Sequence, residues 1–172
     1  MKRQRLEPAE HGPRLLLRSE AQTRALAGAL AQRLAAQLSA DPQRSIVLGL
    51  IGDLGAGKTA FVRGFVAGLD PAREAEVSSP TYALIHQYPG RPEVRHVDLY
   101  RLESAADVAG IGLYELWSEP GLTLVEWADK LSRAIPGPHI DIRLAQGPRN
   151  VREIQLETTD PALRSILDDL VR

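Results

Sequence analysis

Residues 51–65 read IGDLGAGKTAFVRGF, and this stretch decides the fold. It sets Gly52, Gly55 and Gly57, followed by one of the chain's three lysines, between an apolar run and a segment with helical spacing. Ile46 to Ile51 is apolar apart from Gly49, as expected of a short strand covered on both faces in a parallel sheet. From Lys58 to Gly68, Phe61 with Phe65 and Val62 with Val66 recur at helical intervals. Strand, glycine loop and helix in this order are the context that the pattern G-x-x-x-x-G-K-[ST], here GDLGAGKT, requires. Glycines open backbone conformations closed to other residues, so that successive N–H groups converge into an anion nest. The expected ligand is the phosphate chain of ATP, contacted by Asp53, Leu54, Gly55, Ala56, Gly57, Lys58, Thr59 and Ala60. Lys58 would reach the terminal phosphates and Thr59 would ligate Mg2+, while the helix turns its positive end to the anion.

Outward from the loop, leucines 26, 30, 34 and 38 recur every fourth position, and Ser19 with Gln22 offers a capping box, predicting an amphipathic helix from Ser19 to Leu38. Downstream, PGRP separates two strand-like runs and predicts a hairpin from Tyr82 to Tyr100. Short helical pieces are expected over Glu103 to Val108 and Leu113 to Trp117, and a buried strand over Leu122 to Val125. HIDIRLA and VREIQLE alternate apolar and polar residues around QGPRN, predicting a second hairpin with one face to water. Asp160 caps a last helix with Pro161 at its first position. The expected architecture is a three-layer α/β fold of the P-loop type, with a mainly parallel sheet and antiparallel hairpin additions. It occupies one domain over residues 1–172, with 1–14 as a flexible N-terminal extension.

Composition narrows the function. With 21 basic against 22 acidic residues the formal charge is -1, so no overall field draws the chain to nucleic acid or to an anionic membrane. Zero cysteines exclude a disulfide framework and any thiolate ligand or nucleophile, and suit a reducing cytoplasm. Histidines 11, 86, 96 and 139 show no paired ligand spacing, which argues against a catalytic zinc centre. The apolar run Leu15 to Leu17 is far short of a secretory core, and no window reaches the about 18 apolar residues of a membrane span.

A nucleotide loop of this kind needs an acid for magnesium or for the attacking water. Glu126 ends LTLVE, where an apolar strand delivers a carboxylate to the ligand edge of the sheet. Asp98, in RHVDLYR, is the second candidate, for magnesium, for water, or only as an anchor for Arg101. Ser78, Ser79 and Thr81 gather hydroxyls around Pro80, either as a segment that senses a terminal phosphate or as an ordinary turn. Trp127 reads as core or interface, and His96, on the face of Asp98, as a satisfied structural histidine rather than a base. A small P-loop kinase and a non-hydrolysing, nucleotide-dependent regulatory module remain alternatives to an ATPase.

GDLGAGKT, SPTY, HVDLYR, GIGLYELW and LVEWADKL, in this order and with these gaps, resemble the bacterial TsaE family of P-loop ATPases. The resemblance runs from about Ile46 to Leu131. It implies an accessory ATPase for threonylcarbamoyladenosine modification of tRNA, acting with the TsaD and TsaB proteins and meeting tRNA only through their complex, not itself the transferase. It implies catalytic roles for Lys58, Glu126 and Asp98, magnesium ligation by Thr59 and Glu126, and a switch-like role for Thr81. Trp127 matches the family's tryptophan beside the acid.

Overall fold

The computed structural model describes residues 12–172, apart from 82, 104, 132–134, 149 and 150. Its strands are β1 (Arg14–Leu17), β2 (Ser45–Ile51), β3 (Ile85–Tyr88), β4 (Val94–Asp98), β5 (Gly121–Glu126), β6 (His139–Gln146) and β7 (Arg152–Glu157). The helices are α1 (Glu20–Ala40), α2 (Lys58–Leu69), α3 (Ala105–Gly110), α4 (Leu113–Leu116) and α5 (Pro161–Leu170), with 3-10 turns at Pro71–Glu76 and Ala128–Lys130. These strands make one sheet in the order β1-β7-β6-β2-β5-β4-β3. The central four, β6, β2, β5 and β4, run parallel, and the pairs β1/β7, β6/β7 and β3/β4 are antiparallel.

Parallel pairing is what the apolar runs dictate. Ile46, Leu48 and Leu50 of β2 with Leu122 and Leu124 of β5 face α1, α2 and α5, where Leu30, Leu34, Phe61, Phe65, Leu163 and Leu167 close the first core. Val47, Val97 and Val125 face the other way, onto Leu99, Val108, Leu113 and Trp117 around α3 and α4. The expected three layers follow, because a sheet buried on both faces needs a helical cover on each. Register matters for what comes next. Leu50 stands opposite Glu126, and Glu126 opposite Asp98, so β2, β5 and β4 end together at one edge.

Local signals read from the sequence hold with small shifts. Ser19 caps α1 by accepting the Gln22 N–H at 3.2 Å, but Gln22 returns its bond to the Arg18 N–H at 2.6 Å, one residue before the expected place. Asp160 caps α5, accepting from the N–H groups of Ala162 and Leu163. The first hairpin forms, but β3 starts at Ile85 because Leu84, at φ 65°, interrupts the extended backbone; Tyr82 lies outside the described residues. In the second hairpin β6 alternates as expected. β7 does not, since Glu153 and Gln155 are buried: β1 covers its free edge, and Arg14 forms an ion pair with Glu153. That strand was not foreseen. Of the extension expected over 1–14, positions 1–11 lie outside the described residues, while Arg14 opens β1. Among the described residues no helix is long and apolar enough to cross a membrane.

Helix α2 is held against α1 by glycines. A Cβ on Gly64 would stand 2.4 Å from the Arg24 Cα, and one on Gly68 2.4 Å from the Gly28 Cα, so the two backbones meet with no side chain between them. Gly64→Ala is therefore expected to lower stability by about 1–3 kcal/mol through forced separation of the helices, measurable by urea unfolding. Asp141 supplies a test of opposite sign. Burial pushes its carboxyl above the ordinary 3.8, with Glu157 adding to the rise and His139 and Arg143 opposing it. The folded state thus holds the Asp141 proton more tightly than the unfolded chain does. Its ionisation erodes stability as pH climbs from 3.8 through the raised folded value. Asp141→Asn should melt higher than wild type at neutral pH, with the gain shrinking as pH falls toward 3.8.

Candidate nucleotide-binding site

The turn from β2 into α2 is built on backbone that side chains would obstruct. Gly52, Gly55 and Gly57 have φ of 152°, 80° and 106°, the left-handed half of conformational space. Gly57 is the N-cap of α2 and offers no side chain to its orphaned N–H groups, which stay available to a ligand. Ala56 is buried and its N–H closes a turn on the Asp53 carbonyl at 3.1 Å, whereas Leu54 projects with 76% of its surface exposed. Ala60 lies in the first turn of α2, one residue after Thr59.

Charge is concentrated beneath this loop. Lys58 is buried, and its Nζ donates to the carbonyls of Gly52 at 2.6 Å and Asp53 at 3.1 Å while sitting 3.5 Å from the Trp127 ring centroid. Burial pushes the Lys58 ammonium below its ordinary value, against the opposing pull of Glu126, Asp129, Asp98 and Asp53. Trp127 reaches the lysine because its backbone adopts φ 61° directly after β5, and Tyr100 packs on it with ring centroids 5.2 Å apart. The sequence suggested core or interface for this tryptophan, and it packs half-buried against the second core while also forming the aromatic floor under the loop lysine.

Glu126 is buried at the end of β5, and the Thr59 hydroxyl donates to its two carboxylate oxygens at 2.9 and 3.2 Å. His96 on β4 stands behind it, with Nε2 2.9 Å from Oε1. The other ring nitrogen, Nδ1, is buried with no hydrogen-bond partner among the described residues. His96 is structural as expected, fully buried and bonded to the candidate acid, but it is only half satisfied because Nδ1 is unpaired among the described residues. Neighbouring strands in a parallel sheet put residues in register beside each other, and the signal lay in His96 preceding Asp98 by two positions.

Asp98 is buried and engaged by a separate set of donors. Thr81 donates to its Oδ2 at 2.8 Å, Ser79 bonds the same oxygen, and the Tyr100 N–H donates to Oδ1 at 2.9 Å. Ser79 and Thr81 hydroxyls are also 2.7 Å apart, so the hydroxyls around Pro80 belong to a network and not to an isolated turn. The structure brings Lys58, Thr59, Glu126, Trp127 and His96 into one cluster and sets Asp98 with Thr81 beside it. Arg101 lies exposed just past β4. On the opposite flank, Gln146 donates weakly to the Gly55 carbonyl at 3.4 Å and Arg152 lies against Gly57, contacts that the sequence reading missed.

Among the described residues no group of three or more His, Cys, Asp or Glu could hold a metal on its own. One hydroxyl and one carboxylate side by side suit Mg2+, which keeps several waters and takes its remaining oxygens from phosphates.

The profile of the family described as "Threonylcarbamoyl adenosine biosynthesis protein TsaE" matches residues 17–154, from the end of β1 into β7. The chain belongs to the TsaE family. It is 35% identical to the "tRNA threonylcarbamoyladenosine biosynthesis protein TsaE" of Bacillus subtilis over 73% of this chain and 78% of that one. A Treponema pallidum protein of the same name is 37% identical, over 61% of this chain and 78% of its own length. A crystal structure of Bacillus subtilis YdiB superposes with a TM-score of 0.69 at 27% identity, covering 93% of this chain and 94% of that one. The TsaE family match includes every residue of the cluster just described.

Removing the Asp98 carboxylate separates the two networks experimentally. Asp98→Ala should release the Ser79 and Thr81 hydroxyls and speed amide hydrogen exchange across residues 78–84. A loss of about 1–3 kcal/mol in stability is expected from the unpaired donors, while exchange in α1 stays unchanged.

Proposed function

We propose that this TsaE-family chain binds ATP with Mg2+ and hydrolyses it to ADP and phosphate, in support of threonylcarbamoyladenosine formation in tRNA. In this reading it serves the TsaD and TsaB proteins as a nucleotide-driven accessory, in the cytoplasm, and meets tRNA only through their complex. The observation that carries the reading is the 2.9 Å bond from the Thr59 hydroxyl to Glu126, which joins the glycine loop to the strand-end acid.

Each side chain then has a task that its surroundings support. Lys58 exchanges the carbonyls of Gly52 and Asp53 for the β- and γ-phosphate oxygens, and Trp127 keeps it aligned during the exchange. A bound Mg2+ would neutralise charge that builds on the phosphate oxygens. Thr59 and Glu126 are the residues that would hold it. Glu126 also orients the attacking water, with His96 fixing the rotation of its carboxylate. Water adds to the γ-phosphorus, the bond to the β-γ bridging oxygen breaks, and ADP and phosphate leave. Such transfer depends on position and charge compensation more than on a strong base.

The Ser79 and Thr81 network on Asp98 supports a switch. The γ-phosphate orders the segment from Ser78 to Tyr82, changing the surface offered to TsaD, and hydrolysis releases it. Tyr82 itself lies outside the described residues.

Reconstituted tRNA modification with TsaD and TsaB, followed over many turnovers with and without this chain, tests the role. Sustained turnover should need the wild-type chain. Lys58→Ala should lose about tenfold to a hundredfold in ATP affinity, and Glu126→Ala about a hundredfold or more in hydrolysis with binding largely kept. Transfer of the γ-phosphate to a small-molecule acceptor would favour a kinase instead. Partner affinity indifferent to ATP, ADP and no nucleotide would remove the switch.

A further inference from the structure

The loop has a second cationic neighbour, on the side away from Glu126. β6 runs parallel to β2 and ends at Gln146 on the same edge, so the β6–β7 hairpin returns beside the glycine loop. Arg152, the first residue of β7, pairs with Gln146 on one side and Leu17 of β1 on the other, which fixes where its side chain starts. Its side chain lies along Gly57: a Cβ there would meet the Arg152 Nε at 3.0 Å and Cδ at 3.4 Å. A side chain at that N-cap would push the arginine aside.

Arg152 differs from other inward arginines among the described residues. Arg44 pairs with Asp160, Arg95 with Glu93 and Glu119, and Arg143 with Glu157. Among the described residues the Arg152 Nε is buried without a hydrogen-bond partner, and the side chain makes no ion pair. Arg152 is half-buried overall, and a cationic side chain with one buried donor unpaired gains from an anion that joins it. Here it leans on the glycine loop whose backbone conformation suits an anion nest.

We infer that Arg152 is a nucleotide-binding residue that contacts the phosphate nearest the nucleoside from the β7 side of the loop. This rests on the ATP-binding reading of the loop. Thr59 and Glu126 take the metal and terminal phosphate on the β5 side, so an arginine on the β6 and β7 side meets the opposite end of the chain. The guanidinium fork suits a bidentate grip on phosphate oxygens that a lysine, a single point of charge, supplies only in part. Because ATP and ADP share that phosphate, Arg152 serves both equally.

Calorimetric titration of the full chain with ATP and with ADP tests this, alongside melting of the ligand-free variants. Arg152→Ala and Arg152→Gln should weaken both nucleotides by the same factor, about tenfold or more, and Arg152→Lys should recover part of the loss. Ligand-free melting of the variants should not fall below the wild-type value. Unchanged affinities would overturn the inference, as would a loss confined to ATP, which would place the arginine at the terminal phosphate. Wild-type chain that binds neither nucleotide would bring down the reading of the loop itself, a result separable from failure of Arg152 alone.

Discussion

The backbone's exit from β2 constrains everything else at the site. A Cβ on Gly52 would lie 2.2 Å from the Leu144 carbonyl oxygen, so the chain can pass between β6 and the start of α2 only if that position is bare. From there the left-handed glycines turn the loop so that α2 begins directly over the end of β5. The Thr59 hydroxyl meets Glu126 as a result, and the helix N-terminus faces the space above both. Two forces hold this arrangement in place. Parallel register with β5 fixes the acid, and the glycine contact of α2 with α1 fixes the helix.

The two carboxylates at the sheet edge stand opposite each other across β4 and β5 but answer to different parts of the chain. Glu126 is tied to α2 through Thr59 and to the sheet through His96. Asp98 is tied to the segment that follows the Pro71–Glu76 turn, through Ser79 and Thr81. Like charges this close would repel if left bare. Each is offset by hydroxyl or N–H donors, and the buried ammonium of Lys58 lies within electrostatic reach of both.

Much of this was legible in the sequence because it depends on local rules. The apolar run before GDLGAGKT, the paired Phe and Val spacing after it, the Asp160-Pro161 cap and the position of Glu126 at the end of LTLVE are each set by neighbours within a few residues. What escaped depends on partners far along the chain. RLLL is too short to announce itself, and it becomes a strand only because β7 has an open edge to pair with. His96 looked inert because its contact with Glu126 spans 30 residues and is created by strand register. Arg152 was invisible for the same reason, since its approach to Gly57 depends on β6 joining β2 in parallel.

The outer strands have a consequence of their own. Both rims of the sheet are closed by strands of only four residues, β1 and β3. A neighbouring polypeptide seeking to extend the sheet finds a short ladder on either side, and on β1 the exposed Arg14 adds a charge that discourages stacking. The long apolar strands most prone to self-association, β2 and β5, lie at the centre, sealed from intermolecular contact by the geometry that also delivers their ends to the glycine loop.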